Sequence, residues 1–246
     1  MGPDIWHSNS LWAPPLENLS IMDFDIPEDL QNYLGELDAF IESDILPLQM
    51  QNDNNRFFDH RREHARTDWE NGGLPTEDWE SLLQEAKRLA DKAGHFRFAS
   101  PVKYGGRDGS NLEMAVIREH LATRGLGLHN DLQNEHSIVG NNIGLLLMIH
   151  YGSDKQKSEW ITDLSESRRY FTVGITESAH GSDATHMETH ATRSGNTWTI
   201  NGEKSWNTGI HRASHVLLIA RTEGKAGDAG GLTAFLVPRS SEGLVV

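Results

Sequence analysis

The sequence predicts an α+β protein in which an all-α helical domain is followed by an antiparallel β-domain, and three observations support this fold class. Before residue 169, apolar residues recur every three or four positions. After it, short β-rich runs alternate with Gly/Asn/Asp turns, and helices and strands never alternate as they do in a parallel α/β sheet. We therefore expect a poorly ordered segment at 1–24, a helical domain at 25–168 and an incomplete β-domain at 169–246, whose apolar last residues indicate a fragment of a longer chain.

Composition excludes several classes of protein. The 246 residues carry a net charge of −14, which argues against nucleic acid or an anionic membrane surface as the main partner. There is no cysteine, and therefore no disulfide or zinc-thiolate site. No apolar run approaches the roughly 20 residues of a membrane span, and the N-terminus has no secretory or transit signal. A cytoplasmic location is expected, with the mitochondrion and the peroxisome left open.

The first predicted helix begins at Pro27 and extends towards Leu48, with an uncertain end because Pro47 disrupts helical hydrogen bonding. Residues 51–73 are expected to form a loop with one helical turn. The apolar face of the helix consists of Leu30, Leu34, Leu37, Ile41, Ile45 and Leu48.

Two further helices have clear start and stop signals. One begins near Thr76 and ends at Gly94; the next begins at a capping box of Ser110 and Glu113 and ends at Gly125. The side chains expected to face the core are Trp79, Leu82, Leu83, Ala86, Leu89 and Ala93 in the former, and Met114, Ile117 and Leu121 in the latter.

The last two predicted helices differ in character. Residues 134–150 are apolar almost all round, which predicts a central helix. A second capping box, of Ser153 and Gln156, starts a short helix. The apolar side chains of that helix are Trp160, Ile161 and Leu164.

The second part of the sequence predicts strands and hairpins. Ser194-Gly195-Asn196 is expected to join one hairpin, and Asn201-Gly202, a strong hairpin signal, to join the next. The β-rich runs are 170–176, 189–193, 197–200, 203–206, 215–221 and 232–237.

A possible metal site is the H-x-x-E-H pattern of His60, Glu63 and His64. On a helix, the two histidines would share a face and could bind one metal ion. The flanking residues are polar, two arginines inside the pattern would repel a cation, and no third ligand follows. We predict no metal site, and a metallopeptidase ranks far below the other hypotheses.

The residues that most favour a cofactor site lie in two segments. In 170–184, a β-rich run enters a turn of small and hydroxyl residues, which suits a pyrophosphate or a flavin carbonyl edge. In 200–208, Trp206 and Thr208 are two positions apart, so on a strand they would share a face. Trp206 could then stack on a planar ring while Thr208 donates a hydrogen bond to its edge.

Three motifs resemble the middle domain of the acyl-CoA dehydrogenase family. They are T-E-x-x-x-G-S-D at 176–183, I-N-G-x-K-x-W-x-T at 200–208 and G-L-T-A-F-L-V at 231–237. The preceding helical region is similar to the N-terminal domain of that family. The resemblance implies FAD as cofactor, and the residues that it places at the cofactor are Val173, Ile175, Thr176, Gly181, Ser182, Trp206 and Thr208.

The resemblance also implies roles for these residues. The backbone at Val173 and Ile175 and the hydroxyl of Thr176 face the flavin ring, Trp206 covers it, and Thr208 bonds to N5. Gly181 and Ser182 approach the pyrophosphate of FAD, and Ser182 also lies near the acyl-CoA substrate.

The implied reaction is α,β-dehydrogenation of an acyl-CoA thioester, with a glutamate as base and a hydride passing to FAD N5. In the family that glutamate lies in a C-terminal helical bundle, so we expect no catalytic residue in this chain and no activity of this chain alone. Glu177 is expected to be structural. Full-length relatives are expected to be homo-oligomers, and the electron acceptor is open.

Two alternatives stand beside this hypothesis. One is that the chain is a non-catalytic truncated paralogue that acts as a binding or structural module. Flavin oxidase chemistry on a substrate other than acyl-CoA is a second alternative.

Overall fold

The computed structural model describes residues 24–131, 136–140, 143–166 and 168–246. Helices and two short two-stranded ribbons occupy the part before residue 167, which we name the helical region, and a five-stranded sheet occupies the part after it, the sheet region. The predicted fold class is confirmed. The segment expected to be poorly ordered, 1–24, lies outside the described residues except for Phe24.

The first helix contains a wide turn that accommodates a proline. Helix α1 (Glu28–Phe40) passes through a π-helical turn (Ile41–Ile45) into α2 (Leu46–Met50). In the wide turn, the backbone N–H of Leu46 bonds to the carbonyl of Ile41, five residues back. Because Pro47 has no N–H and its ring clashes with the carbonyl four residues earlier, an undisturbed α-helix could not continue there.

Residues 51–75 form short, irregular elements. Two 3₁₀ segments (Gln51–Phe58 and His60–Ala65) precede the ribbon of β1 (Thr67–Asp68) and β2 (Leu74–Pro75). The second 3₁₀ segment is broken at Arg62, where φ is −123° and ψ is 42°. The regular helix that would align the histidines of the H-x-x-E-H pattern is therefore not formed.

Helices α3 (Glu77–Lys92) and α4 (Asn111–Thr123) begin where their caps predict, with a 3₁₀ turn (Val102–Tyr104) between them. The Thr76 hydroxyl accepts from the N–H of Trp79, and Ser110 with Glu113 forms the complete capping box. The predicted core position Ala93 lies just after α3 and is exposed. Ala90 is buried in its place, four residues after Ala86 on the same face.

Helices α1, α3 and α4 and the π-helical turn share one apolar core, which contains most of the core positions predicted for these elements. Removing these side chains from water is the main favourable term for this half of the fold. The core includes Leu30, Leu34, Leu37, Ile41, Ile45, Trp79, Leu82, Leu83, Ala86, Ile117, Leu121 and Leu128.

The helix predicted at 134–150 is wrong in its first half. Strand β3 (Asn130–Asp131) pairs with β4 (His136–Ser137), and helix α5 begins only at Ile143 (Ile143–Tyr151); 132–135 and 141–142 lie outside the described residues. Ile138 and Val139 are fully buried but not helical. The periodicity of a short, buried apolar run does not distinguish a helix from an extended segment. Helix α5 is not fully central, because Ile143 is exposed.

Helix α6 (Asp154–Ser165) starts at the predicted capping box of Ser153 and Gln156. It packs against α5 in a second apolar cluster, and Phe171 and Leu236 of the sheet region pack against the same cluster. The helical and sheet regions are therefore in direct apolar contact. The buried members of the cluster are Leu145, Met148, Trp160, Ile161 and Leu164.

The sheet contains β5 (Phe171–Gly174), β6 (His190–Ser194), β7 (Thr197–Asn201), β8 (His215–Arg221) and β9 (Leu232–Pro238). Strand β9 pairs antiparallel with all of β8, so β5 and β6 must lie along the other edge of β8, and both run parallel to it. Strand β7 pairs antiparallel with β6 on the outside.

The prediction of a wholly antiparallel sheet is thus correct for β6–β7 and β8–β9 and wrong for the two pairings of β5 and β6 with β8. Parallel pairing needs a long connection, and residues 175–214, which include the β6–β7 hairpin, provide it between β5 and β8. The sheet is mixed.

The two predicted hairpin turns have different outcomes. Gly195-Asn196 joins β6 to β7, and Gly195 has the positive φ, 60°, that the first residue of a type II′ turn requires. Asn201-Gly202 does not form a hairpin, and 203–206 is not a strand. A Cβ atom on Gly202 would lie 2.6 Å from the Cα of Thr189, so this glycine permits a close backbone approach.

Candidate functional site at the carboxyl end of β5

The two segments singled out in the sequence lie side by side. The backbone N–H of Ser205 donates to the carbonyl of Thr176 (2.9 Å), and the hydroxyl of Thr172 donates to the carbonyl of Thr208 (2.8 Å). The residues that follow β5 and the loop 203–209 therefore form one continuous surface at the end of the strand.

A buried ion pair fastens this surface from beneath. The Lys204 ammonium lies 2.8 Å from Oε1 of Glu177, and the side chains are only 4% and 5% exposed. Lys204 also donates to the carbonyl of Ile175 (3.0 Å), while Glu177 accepts from the backbone N–H groups of Glu188 (2.6 Å) and Thr189 (2.9 Å). Glu177 thus has a structural role in this fold.

The electrostatics of Glu177 follow from these contacts. Burial opposes ionisation, but the hydrogen bonds from Lys204, Thr189 and the backbone outweigh it and lower the pKa of Glu177 to about 2. The carboxylate is therefore ionised at neutral pH and is a poor proton acceptor.

The apolar residues predicted at the cofactor point outwards. Side chains alternate across β5, so Thr172 and Gly174 are buried while Val173 is 42% exposed; Ile175, just beyond the strand, is 41% exposed. Trp206 is 86% exposed, an unusual state for so large an apolar side chain. The surface at the end of β5 therefore presents a set of apolar and aromatic groups to its surroundings.

The prediction that Trp206 and Thr208 share one face of a strand is wrong. The two residues do not lie on a strand; they belong to a tight turn in which the N–H of Thr208 donates to the carbonyl of Trp206 (3.0 Å). Trp206 has a left-handed backbone, with φ of 61°. This conformation costs a residue with a Cβ about 1–2 kcal/mol, so the surrounding contacts must hold it.

Three of the predicted residues line a cavity of about 560 Å³ between the two regions of the molecule. Val173, Trp206 and Thr208 form part of its sheet side, and Trp79 and Lys87 of α3 form part of its helical side. A volume of this size lies within the range of ligand pockets in proteins.

The other four predicted residues, Ile175, Thr176, Gly181 and Ser182, are not on the cavity wall. These residues lie after the end of β5, in the turn that leads away from the cavity. In that turn the backbones of Glu177 and His180 exchange hydrogen bonds (3.1 and 3.2 Å). Gly181 and Ser182 are exposed, and a Cβ atom on Gly181 would contact nothing within 4 Å.

Sequence reasoning missed the polar residues that brace the cavity. The Tyr170 hydroxyl donates to the carbonyl of Gly209 (3.1 Å), and the Arg212 guanidinium lies 5.0 Å from the centre of the Tyr170 ring. Arg212 is also paired with Glu80 of α3, across the two regions. Burial is the main cause of the rise in the pKa of Tyr170 to about 12. No local pattern joins these residues, which are far apart in sequence.

The ion pair of Lys204 with Glu177 could have been predicted, because both residues stand in the motifs of the sequence: Lys204 in I-N-G-x-K and Glu177 in T-E. Only the opposite charges of these two motif residues indicated that they would pair.

Within the described part of the chain, no group of three His, Asp or Glu side chains could hold a metal ion. Across the same residues, no helix is both long and apolar enough to cross a membrane.

Comparison with known proteins identifies the family. The acyl-CoA dehydrogenase N-terminal domain matches residues 47–168, and the acyl-CoA dehydrogenase middle domain matches residues 172–246. The chain belongs to the acyl-CoA dehydrogenase family. The predicted resemblance is thereby confirmed, and the surface at the end of β5 lies in the middle domain of this acyl-CoA dehydrogenase family member.

Two curated relatives of this acyl-CoA dehydrogenase family member illustrate the similarity. It is 28% identical over 226 residues to glutaryl-CoA dehydrogenase of Desulfococcus multivorans, covering 91% of this chain and 51% of the relative. It is 27% identical over 222 residues to the mitochondrial short-chain specific acyl-CoA dehydrogenase of Homo sapiens, covering 90% of this chain and 47% of that protein. The chain spans about half the length of these relatives.

Solved structures share the fold. The ChsE4–ChsE5 complex from Mycobacterium tuberculosis matches with a TM-score of 0.60 at 20% identity, over 90% of this chain and 49% of that one. A glutaryl-CoA dehydrogenase from Mycobacterium smegmatis in complex with FADH2 matches with a TM-score of 0.60 at 22% identity, over 89% and 47%.

Proposed function

We propose that this chain provides the helical and middle domains, 25–168 and 169–246, of an FAD-dependent enzyme that introduces an α,β double bond into an acyl-CoA thioester. The observation that carries the proposal is the grouping of Val173, Trp206 and Thr208 around one cavity between the two regions. Family membership supports it, since relatives are named acyl-CoA dehydrogenases and one related structure contains FADH2.

The residues at the end of β5 fit a flat aromatic cofactor. Val173 and Ile175 offer apolar surface, and the exposed indole of Trp206 offers a plane on which a ring can stack. Burying these groups against a ring would remove apolar area from water, which is favourable. Thr208, also exposed, offers a hydroxyl beside them.

When bound, FAD supplies the hydride acceptor of the reaction. We propose that the backbone at Val173 and Ile175 and the hydroxyl of Thr176 orient the flavin ring, that Trp206 covers the ring, and that Thr208 donates a hydrogen bond to its N5 edge. The pyrophosphate is then assigned to the turn that follows.

In that turn, Gly181 and Ser182 are exposed, and nothing lies within 4 Å of a Cβ position at Gly181. A bulky phosphate can therefore approach the backbone, and Ser182 can donate its hydroxyl. We assign Ser182 to the acyl-CoA as well, on its position beside this open backbone.

Two carboxylates close to the site are unsuited to abstract the substrate α-proton. Glu177 is buried against Lys204, and its pKa is lowered to about 2. Glu80, on the cavity wall, is paired with Arg212. We therefore propose that this chain binds and orients the cofactor and substrate, and that the base is not one of these residues.

The experiment is a titration of the purified chain with FAD. We expect saturable uptake with yellow absorbance, and quenched flavin fluorescence because the Trp206 indole stacks on the ring. In a Trp206→Leu variant, FAD affinity should fall about tenfold, as for an aromatic anchor residue, and the quenching should be lost.

Trp198→Leu is the matched control, since Trp198 is an exposed tryptophan on β7 away from the cavity. It should bind and quench FAD as the parent chain does. If the folded chain takes up no FAD, the flavin proposal is wrong and a non-catalytic binding module is the better description.

A further inference from the structure

The cavity adjoins a second depression, which is lined mostly by charged and polar side chains. This groove, of about 1090 Å³, runs along α3 and past Glu166, Arg168 and Tyr170. Cavity and groove share part of their walls, so the junction between them is formed by the same residues. These shared residues are Glu80, Lys87, Phe96, Tyr170 and Arg212.

The charges around this junction differ from those of the chain as a whole. The chain as a whole carries a net charge of −14. Among the residues that the structure describes, however, the cavity wall contains three cationic side chains, Lys87, Arg118 and Arg212, and a single acidic one, Glu80. An anion that enters the cavity therefore meets a locally positive wall in an otherwise acidic protein, which favours its capture.

Most cations on the groove wall are already neutralised by carboxylates of the chain. Their ion pairs include Arg88 with Glu85 (2.6 Å), Arg97 with Asp91 (2.6 Å), and Arg212 with Glu80. A ligand that bound to one of these arginines would have to share it with its internal partner.

Lys87 is the exception. Across the described residues, its ammonium has neither an ion-pair partner nor a hydrogen bond, although the side chain is half-buried on the walls of both depressions. Burial, followed by the charge of Arg212, lowers the pKa of Lys87, and Glu80 opposes this effect. A partly desolvated ammonium without a counter-ion gains more from an incoming anion than a solvated surface lysine does.

We propose that Lys87 forms an anion-binding subsite at the junction of the cavity and the groove, and that it takes a carboxylate or phosphate group of a ligand that extends from one into the other. This refines the proposed function, on which it rests only for the identity of that ligand as an acyl-CoA. A carboxylate would come from the acyl end of the substrate, and a phosphate from its nucleotide end.

The subsite can be tested on the whole chain with two small probes, glutarate and inorganic phosphate, at constant ionic strength. Ligand-observed NMR gives the dissociation constant of each probe. We expect saturable binding of at least one, and a loss of about tenfold or more in affinity in Lys87→Met, which keeps the length of the side chain and removes its charge.

Lys92→Met is the matched control, because Lys92 is an exposed lysine at the C-terminal end of the same helix. Its affinities should stay within about twofold of the parent values. Equal losses in both variants, or none in either, would overturn the subsite.

A second measurement on the parent chain does not depend on the folding of a variant. After reductive ¹³C-methylation of the lysines, which preserves their charge, the Lys87 signal should move saturably with the bound probe while the Lys92 signal follows ionic strength alone. Tighter binding of glutarate assigns the subsite to an acyl carboxylate, and tighter binding of phosphate assigns it to the nucleotide end. If neither probe moves the Lys87 signal in a saturable manner, the subsite does not exist.

The result is separable from the FAD titration. A chain that binds FAD but neither probe retains the proposed function and loses the subsite. A chain that binds a probe at Lys87 but no FAD retains the subsite and loses the flavin proposal.

Discussion

The helical core and the surface at the end of β5 use their apolar residues in opposite ways. In the helical region, side chains such as Leu37 and Ile117 are fully buried, and packing stabilises the fold. At the end of β5, Val173, Ile175 and Trp206 are exposed and contribute little to packing. The ion pair of Lys204 with Glu177 and the hydrogen bonds to the backbone hold that surface instead, so a surface that displays apolar groups must be fixed by polar ones.

The largest expected effect comes from breaking the buried ion pair. Lys204→Met leaves the Glu177 carboxylate buried without its cation, which should lower the free energy of unfolding by about 3–5 kcal/mol. Hydrogen exchange measured by mass spectrometry should increase first in peptides covering 171–178 and 203–209. Lys225→Met, which changes an exposed lysine in the β8–β9 loop, is the control and should leave exchange unchanged.

A cavity in the helical core should have a somewhat smaller and differently located effect. Leu37→Ala removes a fully buried side chain and should cost about 2–5 kcal/mol in urea-induced unfolding. Exchange should increase in α1 and α4 and not at the end of β5. Leu112→Ala, an exposed leucine on α4, should change stability by less than about 0.5 kcal/mol; an equal loss in both variants would contradict the comparison.

Acid should weaken the surface at the end of β5 by the smallest amount. The pKa of Glu177 is lowered in the fold from its ordinary value of 4.5 to about 2. Its ionised form therefore stabilises the fold above about pH 4.5, and this contribution is lost as the pH falls towards 2. At about pH 3 the parent chain should have lost roughly 1–2 kcal/mol through this group.

Glu177→Gln isolates that contribution from the other titrating groups. The difference in free energy of unfolding between the parent chain and this variant should be largest near neutral pH and should shrink between about pH 4.5 and about pH 3. A difference that stays constant over this range would show that ionisation of Glu177 does not stabilise the fold.

The sequence predicted the elements that carry their own local signals. Thr76, Ser110 and Ser153 begin helices because each satisfies backbone N–H groups within the first turn, whatever the rest of the chain does. The run 215–221 was recognised as a strand with the bounds that β8 has in the structure.

The errors arose where distant contacts decide the conformation. Asn201-Gly202 has the composition of a hairpin turn, but the backbone of Thr189 lies so close to Gly202 that only a glycine fits there. The residues that follow do not return along β7, because Ser205 bonds to the backbone of Thr176. In the same way, His136 and Ser137 pair with β3, a contact with another part of the chain. The apolar pattern of 134–150 carries no information about this contact.

For the candidate site, the sequence grouped the right segments for a partly wrong reason. Trp206 and Thr208 do lie beside the end of β5, but through a left-handed turn and not through the alternation of a strand. Whether the predicted residues bind FAD stays a prediction. Lys87 carries no sequence signal at all, because its lack of a counter-ion emerges only from the places taken by the carboxylates around it.

Strand β8 holds the sheet together, because it pairs with three other strands: β9 along one edge, and β5 and β6 in succession along the other. A slip of one residue in its pairing with β5 would turn the strand over, so that the side chain of Val173 would be buried and that of Thr172 exposed. The alignment of Thr172 with Val216 therefore determines which side chains of β5 are exposed. Insertions or deletions of a single residue within 215–218 should be far more harmful than any substitution that keeps this alignment.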